Sequence, residues 1–178
     1  FDEGVENTQN TLVGCIIQGN GDAAGTKYPG LILQGVARLV MGHMEINSNG
    51  GPGLSIRQGT QTNRISASHL ALRRNSDDAS QSRQLEILAG NIIELKGVTV
   101  QGGSAPDNSA DKVGIYAQAV SRLRISDVSV NTIRGTAIHA VDCTSVQIES
   151  PLLVSNGVAA SAANHGIHVV GCVDVDIT

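Results

Sequence analysis

A short pattern of apolar residues recurs along most of this chain, and it constrains the fold more than any other feature. The phrase is apolar-x-apolar-x-x-apolar-x-apolar. It is carried by Leu39, Met41, Met44 and Ile46, then by Ile65, Ala67, Leu70 and Leu72. It returns at Ile93, Leu95, Val98 and Val100, and at Leu123, Ile125, Val128 and Val130. A fifth copy, Val146, Ile148, Pro151 and Leu153, contains a proline, and a sixth stops after Val175 and Ile177. Successive copies lie 26, 28, 30, 23 and 29 residues apart. A second phrase precedes each copy: Gly53-Leu54-Ser55-Ile56, Gly114-Ile115-Tyr116-Ala117 and Gly166-Ile167-His168-Val169 are close versions. Gly30-Leu31-Ile32-Leu33, Gln84-Leu85-Glu86-Ile87 and Ala137-Ile138-His139-Ala140 are looser ones. Leu12, Cys15 and Ile17 fit a preceding coil.

Alternation puts the apolar side chains of each phrase on one face of a short strand, and no helical periodicity competes with it. The two-residue step inside the longer phrase predicts a tight bend that keeps the inward face while the strand changes direction. Each coil therefore reads as three short strands joined by three turns. Stacked coils, about 4.8 Å apart, would form three parallel sheets around one prism-shaped core. The expectation is a single all-β domain over residues 1–178, a right-handed parallel β-helix of six to seven coils of 23–31 residues. Length variation falls on loops after the third strand: 73–83, 101–112 and a smaller insertion at 155–165. Their Ser, Asp, Asn and Gly content suits solvated turns. Aromatic residues make up only 2%, with no Trp, so the core must be filled by Leu, Ile, Val and Ala.

Composition also excludes partners. The formal charge is −4, with cations scattered and too few rings to interleave with them, so neither nucleic acid nor an anionic membrane is expected. No apolar run approaches the length of a membrane span. Three cysteines, Cys15, Cys143 and Cys172, are too few for a disulfide framework and lack zinc-site spacing. Both ends read as cut from a longer chain. The open strand edges of such a stack call for more chain or for association to cover them.

The phrase Leu123-Arg124-Ile125-Ser126-Asp127-Val128-Ser129-Val130 resembles the repeat of the pectin-lyase-like right-handed β-helix superfamily, and the resemblance extends over nearly the whole chain. That group includes pectate lyases, polygalacturonases, uronate epimerases and bacteriophage tailspikes. The resemblance implies a polysaccharide partner, an extracellular or virion-surface setting and, as in tailspikes, a homotrimer. Cleavage by a lyase or glycoside hydrolase is the activity it implies. The calcium clusters and catalytic signatures of pectate lyases are absent, as is the Asn-Thr-Asp signature of polygalacturonases. Fold likeness alone does not place an active site.

The middle position of the first phrase gives a column: Ile32, Ser55, Glu86, Tyr116, His139 and His168. Four successive members exchange protons or hydrogen bonds. The catalytic candidates are therefore Glu86 as general acid or base, His139 or His168 as its partner, and Tyr116 as a sugar platform or proton acceptor. Arg124, Asp77 and Asp107 are the candidate substrate-binding residues. A lyase needs a base beside a uronate carboxylate and a cation to neutralise it. A hydrolase needs two carboxyls about 5 to 9.5 Å apart, one or two coils of the stack. Glu94 shares a coil with Glu86. The competing reading is that outward strand positions are polar in any solvated sheet.

His43 and His69 share the bend position with Gly97, Asp127 and Ser150, where the superfamily commonly carries asparagine ladders, and their expected role is structural. Cys143 and Cys172 share a register one coil apart, which fits a buried apolar stack and is close enough for a bond. No cofactor or metal is expected. Asp77, Asp78, Asp107 and Asp111 would at most gather Ca²⁺, without the spacing of a dedicated loop. Two other functions compete with cleavage: a non-catalytic shaft or adhesin segment, and a uronate epimerase using Tyr116 and His139 with a basic residue.

Overall fold

The computed structural model describes residues 10–20, 28–57, 64–75, 83–102, 113–133, 135–154, 156 and 165–178. Every pairing among them is parallel. The strands are β1 (Asn10–Val13), β2 (Ile16–Gln18), β3 (Leu31–Gln34), β4 (Arg38–Asn47), β5 (Leu54–Arg57), β6 (Arg64–Arg73), β7 (Arg83–Lys96) and β8 (Thr99–Gln101). They continue as β9 (Val113–Ser126), β10 (Ser129–Asn131), β11 (Ile138–Val141), β12 (Ser145–Glu149), β13 (Leu152–Val154), β14 (Ile167–Val170) and β15 (Asp174–Ile177).

Register sorts them into three faces. The first stacks β3, β5, the start of β7, the start of β9, β11 and β14. The second stacks β1, the starts of β4 and β6, the ends of β7 and β9, β12 and β15. The third stacks β2, the ends of β4 and β6, β8, β10 and β13. The inward columns are those of the repeat: Leu39, Ile65, Ile93, Leu123 and Val146 are all at most 6% exposed and belong to one apolar cluster. Leu12 and Ile17 pair with Met41 and Ile46, which places them in the preceding coil.

Three corners turn each coil, and most of those among the described residues use a residue in the left-handed region. After the first face these are Gly35, Ala89, Ala119, Asp142 and Gly171. At the bend in the longer phrase they are Gly14, His43, His69, Gly97, Asp127 and Ser150. After the third face they are Gly19, Ser48, Arg74 and Thr132. A non-glycine residue held there costs about 1–2 kcal/mol, and ladder bonds on both sides offset it. Because one such residue redirects the chain and pairing resumes at the next, β4 and β6 run through the bend, and β7 and β9 run through the first corner.

The bend carries no buried ladder: His43 and His69 are exposed there, their rings stacked at 4.9 Å and 4°. The amide ladder sits at the third corner instead, where the residue after the left-handed one points inward. Asn49 donates through Nδ2 to Asn75 Oδ1 at 2.8 Å, and Asn75 Nδ2 donates to the Ile46 carbonyl at 2.9 Å. Asn49 Oδ1 accepts from the Asn20 N–H, and Gln84 Oε1 accepts from the Asn75 N–H. Lower in the stack Asn156 serves Ile133 N–H and the Val130 carbonyl in the same way. Buried amides are thus fully used, as an apolar surround requires.

Candidate functional site

Strand register, and not chance proximity, builds the column on the first face. Ile32 pairs with Ser55, Ser55 with Glu86, Glu86 with Tyr116, Tyr116 with His139, and His139 with His168. Alternation points all six away from the core, yet Ser55, Glu86 and Tyr116 are 0%, 8% and 9% exposed. Polar groups sealed to that degree must find partners.

Glu86 finds several. Its Oε1 accepts from Ser55 Oγ at 2.9 Å and lies 3.8 Å from Arg57 Nη2. Its Oε2 accepts from Arg83 Nη1 at 2.9 Å. Arg57 Nε also donates to Ser55 Oγ at 3.1 Å. The Arg83 guanidinium then lies over Tyr116, its carbon 3.5 Å from the ring centre. The Tyr116 hydroxyl donates to Gln118 Oε1 at 3.1 Å. Arg83 thereby occupies the ring face on which a sugar would stack, and both carboxylate oxygens of Glu86 are engaged inside the protein.

Below Tyr116 the column becomes imidazole. His139 meets the tyrosine edge-on at 5.5 Å and stacks on His168 at 4.6 Å, with His165 tilted against His168 at 4.7 Å. Burial holds the His139 imidazole below its ordinary value of 6.5, and the neighbouring His168, Arg83 and His165 push it further in the same direction. At neutral pH His139 is therefore an uncharged acceptor, the form in which a histidine takes up a proton.

The family model for the right-handed β-helix region matches residues 4–176. The chain belongs to that family. No curated protein and no solved structure matches it. Within this β-helix, the remaining candidates fall elsewhere. Arg124 is on the second face, in register with Glu94 and Gln147, and it pairs with Glu149 at 3.2 Å. Glu94 is on that face too, paired with Arg64 at 3.7 Å, so the two carboxylates of one coil, Glu86 and Glu94, look out from different faces. Asp77 and Asp107, with Asp78 and Asp111, lie outside the described residues. Among the described residues no group of three His, Cys, Asp or Glu side chains is arranged to hold a metal ion.

Four members of the β-helix site were missed in the sequence. Arg57 and Gln118 were legible: each lies two residues after a column member, on the same face by alternation. Arg83 and His165 stand where insertions rejoin the repeat, and no periodicity marks them.

Proposed function

We propose that this β-helix holds an acidic polysaccharide against the first face, along the column from Ser55 to His168. The observation that carries the reading is the run of contacts from Arg57 through Ser55, Glu86, Arg83 and Tyr116 to His139 and His168 across consecutive layers. Arg57 and Arg83 set guanidinium groups along the upper part of the column, and the histidines below it gain charge when a carboxylate is near. A glycan lying along the prism axis would cross one layer after another and meet Arg57, Arg83, His139 and His168 in turn, with Ser55 and Glu86 buried beneath the arginines. The same reading puts the protein outside the cell or on a virion surface, where such polymers are met. It makes side-by-side trimerisation an expectation to test by sedimentation.

The chemistry that fits the column best is proton abstraction beside a uronate carboxylate. Uncharged His139 would be the base, and Tyr116 and Arg83 stand next to it as a proton donor and a cation. Lyase and epimerase steps share this first proton transfer. Hydrolysis has less support, because among the described residues no second carboxylate contacts the column. A specific observation favours binding without cleavage as the second reading: Glu86 and Arg83 already satisfy each other, and Tyr116 is covered.

One experiment separates these outcomes. The full chain is incubated with uronate-rich and neutral polysaccharides, and glycan size, the absorbance of unsaturated uronates and binding are followed together, with Arg57→Ala and His139→Gln as variants. Binding of the acidic glycans that both substitutions weaken supports the site. Shortening with absorbance identifies a lyase, and sugar inversion without shortening an epimerase. Equal binding of neutral and acidic glycans, or binding indifferent to both variants, overturns the proposal.

A further inference from the structure

We propose that Cys143 and Cys172 form an oxidisable dithiol, and that its disulfide staples the last coil to the one above. Register puts the two at equivalent places: β11 pairs with β14 and β12 with β15 at one constant offset, and the cysteines, 29 residues apart, sit in the corner between. Each follows a left-handed residue, Asp142 or Gly171, and each turns its sulfur toward the carbonyl two residues back, at 3.4 Å for Cys143 and 3.6 Å for Cys172. The Cys143 N–H finds its acceptor in Cys172 Sγ at 3.4 Å, where the ladder would otherwise offer a carbonyl. No atom separates the two groups. Stacked α-carbons lie about 4.8 Å apart, inside the roughly 4.4–6.8 Å that a disulfide spans. Both thiols are free in this structure, so the pair stands as a dithiol that a bond could close.

The two sulfurs have different access. Cys143 is buried, and burial together with the adjacent Cys172 thiol pushes its own thiol up, whereas Cys172 is half-buried. Attack therefore starts at Cys172. Its thiolate displaces one thiolate from a small-molecule disulfide such as oxidised glutathione and forms a mixed disulfide. The Cys143 thiolate then attacks Cys172 Sγ and expels the second. The sum is two protein thiols and one small disulfide giving one protein disulfide and two small thiols. The closed loop contains β12, β13 and β14, and with them His168. This inference stands on the corner geometry and is independent of the glycan reading.

The test treats the full chain with oxidised glutathione, quenches in acid, and reads intact mass and disulfide-linked peptides. The expected product is two hydrogens lighter, carries no adduct and links residues 143 and 172. Cys15→Ser leaves this unchanged, because Cys15 lies at another corner. Cys143→Ala stops at a glutathione adduct on Cys172. Amide exchange in β14 and β15 should slow on the order of tenfold or more once the coil is tethered. A wild-type protein that accumulates the Cys172 adduct without closing the bond, or that pairs Cys15, overturns the dithiol. Unchanged exchange in β14 and β15 after closure overturns the staple.

Discussion

Replacing Arg83 by Met tests whether the first-face column is one interacting unit. Met keeps the stem that packs on the sheet and removes the charge. Among the described residues the bond to Glu86 Oε2 at 2.9 Å and the guanidinium over Tyr116 at 3.5 Å are lost. Breaking a buried ion pair costs about 3–5 kcal/mol when the survivor has no other partner. Here Ser55 and Arg57 still serve Oε1, and the Arg83 side chain is 28% exposed. The electrostatic loss then reduces to one charged hydrogen bond, about 1.5–3 kcal/mol. The lost cation–π contact adds about 0.5–1 kcal/mol, so the expected destabilisation is about 2–4 kcal/mol in urea at pH 7.5. A cycle with Glu86→Gln should recover a coupling of about 1–2 kcal/mol. The second readout is His139, which Arg83 helps to hold below its ordinary value. In the variant its imidazole should titrate at higher pH, followed by proton NMR. A loss under about 1 kcal/mol together with an unmoved His139 would refute the account of the column as a unit.

Three further outcomes follow from the same geometry. His139 titrates below 6.5 in the folded chain, so on acidification the unfolded chain takes its proton first. Stability should fall as pH drops below about 6.5 and stop falling once the folded value is passed. His139→Gln should remove that part of the acid limb, and a wild-type-minus-variant difference that stays constant from pH 8 to pH 5 would contradict it. Asn75→Ala strips partners from Asn49 and from the Ile46 carbonyl inside the core, a loss of about 3–5 kcal/mol by denaturant melts; under about 1 kcal/mol would mean the ladder relaxes freely. Gly114→Ala would set a Cβ 2.6 Å from the Ala137 carbonyl oxygen and 2.8 Å from Val130 Cγ1, costing about 1–3 kcal/mol, and an unchanged melting temperature would show that this corner yields.

The fold was legible because a solenoid writes its core as a period. Leu39, Ile65, Ile93 and Leu123 announce one column, and the pairing places them in one. The site column from Ile32 to His168 was legible for the same reason, since it rides on the same alternation. What resisted reading was whatever leaves the period. Arg83 acts diagonally, from the end of one insertion onto Glu86 of its own strand and Tyr116 of the next layer. The superfamily's habitual asparagine position is the bend, but here the left-handed residue at the bend throws its side chain outward, and the amides stack at the third corner. Arg124 lies on a different face from the column, as its place in the longer phrase predicts, but its partner Glu149 carries no sequence mark.

Stacking also decides which charges a column like this one tolerates. In-register positions repeat about every 4.8 Å, so a run of identical charges would repel through every layer. The first face avoids this in two ways. Around Glu86 opposite charges interleave, with Arg57 and Arg83 brought in from flanking positions. Below Tyr116 like residues do stack, His139 on His168 at 4.6 Å, but imidazoles can stay uncharged and the neighbours of His139 favour that state. An anion arriving at this end reverses the balance, because a carboxylate beside the stacked rings lowers the cost of protonating either one. Linkage then requires that proton uptake strengthen anion binding by the same factor. The arginine end, charged at every relevant pH, has no such dependence. The two ends of one column would therefore grip the same acidic polymer differently, and acidification would tighten only the histidine end.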